Sequence, residues 1–388
     1  SKALRAAQKE LRETKKNHES LREQFLYERQ IELSDDPNQK VNKQIIQRIQ
    51  RAEAKRRSHA RIAAAMTDTT KGCLTYIIVP KGSQPEDYPY EPENITEWEK
   101  IYDPKMIEQY LLARNKAHFS QAQGTPFTIP PLNKIGHAAD TEEAEQILRG
   151  EIPESFAEAD ELALEILREI GNSNIPQIQI QFETEQIKQS FRKWKETTST
   201  SPSNNHLGLW ISMTYPTTNK EDAKVLNRLW TMHRELLLIP FQTGIPLKRW
   251  GKIVNIMIEK IAGQPFLHKL RVIQIMEADY NLTLKSVFGR QLLWHGEQHD
   301  AYHDAQGGSR PGRNTTDISI TQEVIYDINR RTNTDHASNE NDAKACYDRM
   351  IVALMSLVNR ARGMDKNWVA ARARVLTEAQ YHIKTTLG

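Results

Sequence analysis

Two apolar, β-branched runs constrain this chain more than any other feature: Lys252-Ile253-Val254-Asn255-Ile256-Met257-Ile258 and Leu270-Arg271-Val272-Ile273-Gln274-Ile275. Each has strand length and strand composition, and the connection between them contains Gly263 and Pro265, which suit a chain reversal. Two such runs so close in sequence predict an antiparallel hairpin. Trp250 leads into it, Lys260 stands at the end of the first strand, and Arg271 opens the second. A hairpin with Lys and Arg at its turn can grip a triphosphate, because both donors reach the same oxygens and Arg can bind bidentately. Ordinary strand-edge charges would give the same pattern.

Around the hairpin the pattern is mainly helical. Residues 1–33 and 38–66 read as long charged helices broken at Asp35-Asp36-Pro37-Asn38, where Pro37 stops the helix and Asp36 and Asn38 are good caps. Leu4, Leu11, Leu21, Phe25 and Leu26 allow a weak coiled coil, hence self-association through this arm. Its basic end, Lys55, Arg56, Arg57, His59 and Arg61, is either a solvated face or a nucleic-acid contact. Leu74 to Val79 predicts a strand ended by Pro80. Ile107, Tyr110, Leu111 and Ala117 predict a helix over 104–118, and two short acidic helices follow within 139–170. From 182 onward Phe182, Ile187, Phe191 and Trp194 mark a helical stripe. Further helices are expected over 219–238, 277–299 and 315–332, and one amphipathic helix after a strand ending at Asp342. The fold class is therefore α+β. Residues 1–70 form a basic helical arm, 71–180 a mixed and acidic region, and 181–388 a third unit.

Composition narrows the class of protein. The 388 residues are 38% hydrophobic and 27% charged, enough for a sizeable core with solvated helices. Net charge is only +3, but it is uneven: residues 1–71 hold about 17 Lys and Arg against about 10 Asp and Glu, while 139–170 is acidic. Two cysteines, Cys73 and Cys346, cannot build a disulfide scaffold, which favours a reducing, intracellular setting, nuclear or cytoplasmic. No apolar run approaches the roughly 18 residues of a membrane span, and the start, Ser1-Lys2-Ala3-Leu4-Arg5, lacks a signal core.

Two further segments could carry chemistry. In Gln306-Gly307-Gly308-Ser309-Arg310-Pro311-Gly312-Arg313-Asn314, Gly308 and Gly312 permit tight turns and close backbone approach, with Arg310 and Arg313 as phosphate donors. A helix begins just after it, and helix N-termini favour anions. The same residues also describe a plain loop. Asn341-Asp342-Ala343-Lys344-Ala345-Cys346-Tyr347-Asp348-Arg349 sets a carboxylate before small residues and an aromatic. Asp342 could bind a hard divalent ion or simply cap a helix. His295, His299 and His303 recur every fourth residue with Asp304 adjacent. Gly296 and Asp300 interrupt that stripe, so a polar surface face is expected there instead of zinc. Nothing resembles a nucleophile elbow, a Walker loop or an endonuclease site.

Taken in order, these segments resemble the reverse transcriptases of non-LTR retrotransposons, and more distantly the group II intron enzymes, over roughly residues 182–388. Leu270-Arg271-Val272-Ile273-Gln274 is similar to the family's fingers hairpin, and Gly308-Ser309-Arg310-Pro311-Gly312-Arg313 to its template-gripping motif, with Ser309 where the family has Phe. Asp342 to Asp348 is similar to the first palm motif. The resemblance implies a partial right-hand polymerase that adds deoxynucleotides to a DNA primer on an RNA template with two Mg²⁺ ions. Asp342 and the Ala343 carbonyl would hold metal, and Arg271 and Lys260 the triphosphate, with Lys269 in the same turn. Tyr347 would screen the sugar, while Gly308, Arg310, Gly312 and Arg313 would steady the template. The Tyr-x-Asp-Asp motif that completes such a site does not occur, so this is expected to be an N-terminal fragment, inactive alone. A non-catalytic nucleic-acid-binding protein derived from a polymerase, or part of an RNA-directed RNA polymerase, are the alternatives.

Overall fold

The computed structural model describes residues 73–195, 202, 203, 205, 207–304, 306–338 and 349–385, together with Gln47. The chain divides into residues 1–68 and 69–388, and every strand and helix described below belongs to the second part. The helical arm, its basic cluster and its self-association lie outside the described residues. So do Asp342, Ala343 and Tyr347, and the strand expected to end at Asp342.

The fold is mixed α+β. The hairpin forms where expected, as β3 (Lys252–Ile258) and β4 (Arg271–Ile275). They pair antiparallel, with Ile258 opposite Arg271 and Val254 opposite Ile275. Burial along β3 alternates, so Ile253, Asn255 and Met257 face the core. A strand that composition does not signal, β5 (Gln380–Ile383), lies parallel to β3 and makes it the central strand of three. A second sheet joins β1 (Ile77–Pro80) to β2 (Trp98–Ile101). Pro80 sits at the last position of its strand, where its missing N–H is tolerated.

Helix α1 (Pro104–Phe119) starts at Asp103, whose carboxylate accepts the Met106 N–H at 2.9 Å, and Pro104 fills the first turn. Its buried stripe is Ile107, Tyr110 and Leu111, continued by Arg114. The acidic helices are α2 (Glu142–Leu148) and α3 (Glu161–Asn172), capped by Thr141 and Asp160. Next come α4 (Thr184–Arg192), α5 (Leu207–Met213) and α6 (Lys220–Thr243), the last ended by Gly244 in the left-handed region.

The single helix expected over 277–299 is three segments. These are α7 (Ala278–Thr283), a π-helical stretch (Leu284–Gln291) and α8 (Leu292–Gln298). The wider turns keep Val287 and Phe288 buried. Helix α9 (Thr315–Thr332) has the expected bounds and a reciprocal cap between Asn314 and Asp317. The last helix is also two: α10 (Val352–Ala361) and α11 (Lys366–Glu378). Gly363, at φ +86°, turns the chain between them, and Asp365 caps α11.

Three main apolar clusters result. One gathers Phe191, Trp230, Phe241, Trp250, Tyr280 and Trp368. Another packs Phe127, Ile147, Phe156 and Leu167 against Ala353, Leu357 and Ala361 of α10. The third joins Ile77, Val79, Tyr110 and Leu111 to Met257, Leu267 and Leu270, and so anchors the hairpin turn.

Candidate functional site

The connection from Glu259 to Leu270 is an arch, not a tight turn, and it is fastened from several sides. The Ile78 N–H donates to Pro265 O at 2.9 Å, and Tyr76 Oη donates to Gly263 O at 2.9 Å. Buried Arg114 donates through Nε to Leu267 O at 2.9 Å and through Nη2 to Leu270 O. Trp98 meets Phe266 edge-on at 5.0 Å. The hydrogen-bonded anchors all hold arch backbone, and the arch's own cations stay outward. Lys260, Lys269 and Arg271 are exposed, and Lys269 Nζ lies 5.0 Å over the Phe266 ring. Arg271, exposed at the turn end of the hairpin, forms no hydrogen bond or ion pair among the described residues.

A clamp that sequence reasoning missed closes the opposite end. Arg249 precedes β3, while Glu277 and Asp279 follow β4. Arg249 Nη1 donates to Asp279 Oδ1 at 2.9 Å, and Nη2 donates to Oδ2. The Trp250 Nε1–H (3.1 Å) and the Tyr280 N–H (2.9 Å) donate to the same Oδ1. Glu277 lies 3.4 Å from Arg249 and accepts from Ser203 N (2.9 Å) and Oγ (3.0 Å), which ties in the polar loop before α5. Both carboxylates are buried, Asp279 completely. Burial works against charge on Arg249, and the hydrogen bonds and negative charge of Asp279 and Glu277 outweigh it, raising its pKa. The signal available was Arg249 directly before the first strand and two acids directly after the second.

In the Gly/Arg segment the two arginines are used differently. Arg310 is buried, with Nε donating to Glu297 Oε1 at 2.7 Å and Nη2 to Oε2 at 2.9 Å. It also donates to His303 O at 2.8 Å and lies 5.6 Å over the Tyr302 ring. The bond from Arg310 holds the Glu297 carboxyl below the usual range. Arg310 thus spends its donors on shaping the loop, whereas Arg313 stays exposed, 3.9 Å from the open carboxylate of Asp304. Gly308 and Gly312 are exposed, and Gly312 has φ +76°. Ser309 itself takes φ +60°, a conformation rare for a non-glycine residue.

The histidine stripe is structural. His295 Nε2 lies 2.7 Å from Pro176 O, and His299 Nδ1 lies 2.9 Å from His295 O. Among the described residues no group of three His, Cys, Asp or Glu could hold a metal ion. No helix among them is long and apolar enough to cross a membrane. No protein-family model matches this chain, and no curated protein matches it in sequence.

Proposed function

We propose that this chain is the fingers and early palm of an RNA-directed DNA polymerase of a retroelement, adding deoxynucleotides to a DNA primer on an RNA template. The observation that carries the reading is the order of its three segments, with Arg271 wholly unspent at the turn of the first. Arg271 binds the incoming triphosphate bidentately, with Lys260 or Lys269 beside it. Arg313, Gly308 and Gly312 meet the template backbone, and Arg310 holds that loop in shape from within. Asp342 and the Ala343 carbonyl are the proposed ligands of Mg²⁺, which supplies charge neutralisation for nucleotidyl transfer. Tyr347 excludes the ribose 2′-hydroxyl.

Binding of a deoxynucleoside triphosphate with Mg²⁺ tests the reading. Arg271→Ala should weaken it about 10- to 100-fold, the value of one charge-assisted pair, with no change in thermal melting. Equal binding by the variant would refute the role of Arg271. Salt-dependent RNA binding indifferent to Mg²⁺ and nucleotide would favour the non-catalytic nucleic-acid-binding alternative. In a longer chain that supplies the Tyr-x-Asp-Asp motif, Tyr347→Ala should admit ribonucleotides, and unchanged sugar preference would remove the assignment of Tyr347.

A further inference from the structure

A cleft of about 650 Å³ lies between the π-helical stretch and the α10–α11 pair. That is room for a nucleotide-sized ligand. Its polar lining includes Lys285, Asn359, Arg362 and Arg372, with Phe288 and Tyr302 as aromatic walls, and among the described residues no acidic one lines it. The two guanidiniums are held by rings in place of carboxylates. Arg372 lies 4.7 Å over Phe288, and Arg362 lies 5.4 Å over Tyr302.

Stacking on a ring face positions an arginine without consuming its N–H donors. Arg372 accordingly makes no hydrogen bond or ion pair among the described residues, and Arg362 makes one long bond, 3.4 Å, to Ser173 O. The Asn359 amide nitrogen, in the same lining, is buried with no hydrogen-bond partner. Burial opposes the charge of both arginines and lowers their pKa, a penalty that a bound anion would relieve. Two half-buried cations and an orphaned amide, with no carboxylate in the lining among the described residues, make a site whose complement is a compact anion carrying an apolar or planar portion.

We propose that this cleft binds the phosphate of a nucleotide unit within a single-stranded nucleic acid, with Arg362 and Arg372 as donors to the phosphate oxygens and Lys285 at the rim. The proposal is independent of the polymerase reading, which turns on Arg271 and Asp342 elsewhere in the chain. A protein that failed every nucleotide-addition assay could still carry this site.

The test is binding of labelled single-stranded oligothymidylate and oligouridylate across a salt series. Arg362→Gln/Arg372→Gln should weaken binding and reduce the slope of log K against log salt by about 0.7, the contribution of the one single-strand phosphate that the two arginines share. A melting curve confirms that the variant folds, and an unchanged slope in the folded variant overturns the proposal. A second measurement needs no substitution: arginine-selective chemical modification of the unaltered protein, mapped by mass spectrometry. Oligonucleotide should protect Arg362 and Arg372, and equal labelling with and without it overturns the site. Protection by deoxythymidine triphosphate or inorganic pyrophosphate, with none by oligonucleotide, would assign the phosphate to a free nucleotide and overturn the strand assignment.

Discussion

Removing the Asp279 carboxylate should unfasten the base of the hairpin at a cost set by what it leaves behind. Asp279→Ala strands the Trp250 indole N–H, which is fully buried and donates nowhere else in the described structure. An unsatisfied buried donor costs roughly 1–3 kcal/mol. It also removes the bidentate partner of Arg249, which keeps Glu277 at 3.4 Å and a side chain one-third exposed (33%). Water and Glu277 soften that second loss, and the sum is about 3–5 kcal/mol, the usual cost of breaking a buried pair from one side. Arg249→Met should cost at least as much, because it leaves Glu277 and Asp279, with side chains only 2% and 0% exposed, without their cation. The double variant Arg249→Met/Asp279→Ala removes both charges, so its cost should fall below the sum of the singles by about 2 kcal/mol or more. Urea unfolding at pH 7 followed by tryptophan fluorescence measures all three. A loss below about 1 kcal/mol for Asp279→Ala with an unchanged urea slope, or a strictly additive double variant, would refute the clamp.

Other expectations follow from single residues. Burial holds His233 at about 4, below its ordinary 6.5, against Trp210 with ring centres 4.3 Å apart. The unfolded chain therefore takes up a proton between pH 6.5 and 4 that the folded chain refuses. Stability should fall by about 3 kcal/mol as pH drops through that window, and His233→Leu should lose that dependence. Gly363→Ala should cost more than about 2 kcal/mol in unfolding experiments, because φ is +86° and a Cβ there would overlap the Pro176 carbonyl. Gly312→Ala, at φ +76° in open space, should cost only about 1 kcal/mol. Arg114→Met should lose roughly 2–4 kcal/mol and speed protease cleavage between Glu259 and Leu270; undiminished resistance there would show that the arch is held by other contacts.

How much was legible in the sequence depended on whether a residue's role is local. The β-branched runs of the hairpin, the helical pattern over 315–332 and the stripe Ile107, Tyr110 and Leu111 are local signals, and each element formed. Gln380-Tyr381-His382-Ile383 carries no comparable strand composition; it pairs because β3 offers an open edge. The π-helical widening at Leu284–Gln291 has only Gly289 to announce it. Nothing in the neighbours of Arg114 shows that carbonyls far along the chain will meet it, and the flanking of the two strands by Arg249 and by Glu277 and Asp279 is a signal only once the strands are paired. Arg310 and Arg313 look equivalent in sequence, and only the placement of Glu297 on α8 separates the buried one from the exposed one. Asp342, Ala343 and Tyr347 rest on sequence alone.

The interleaving of early and late segments has a consequence for how the molecule is made. Cys73 Sγ meets Thr385 O at 3.1 Å, and these residues are 312 positions apart. The cluster around Phe127, Ile147 and Leu167 is closed by α10, and β3 acquires its second neighbour only with β5. At ribosomal rates of roughly 5–20 residues per second, that separation corresponds to about 15–60 s of synthesis. For part of that interval the nascent chain carries half-built apolar surfaces, and for a shorter part, between the synthesis of β3 and of β5, an open sheet edge. A chain wired this way is an expected client of ribosome-associated chaperones, and slow codons ahead of α10 would lengthen its exposure.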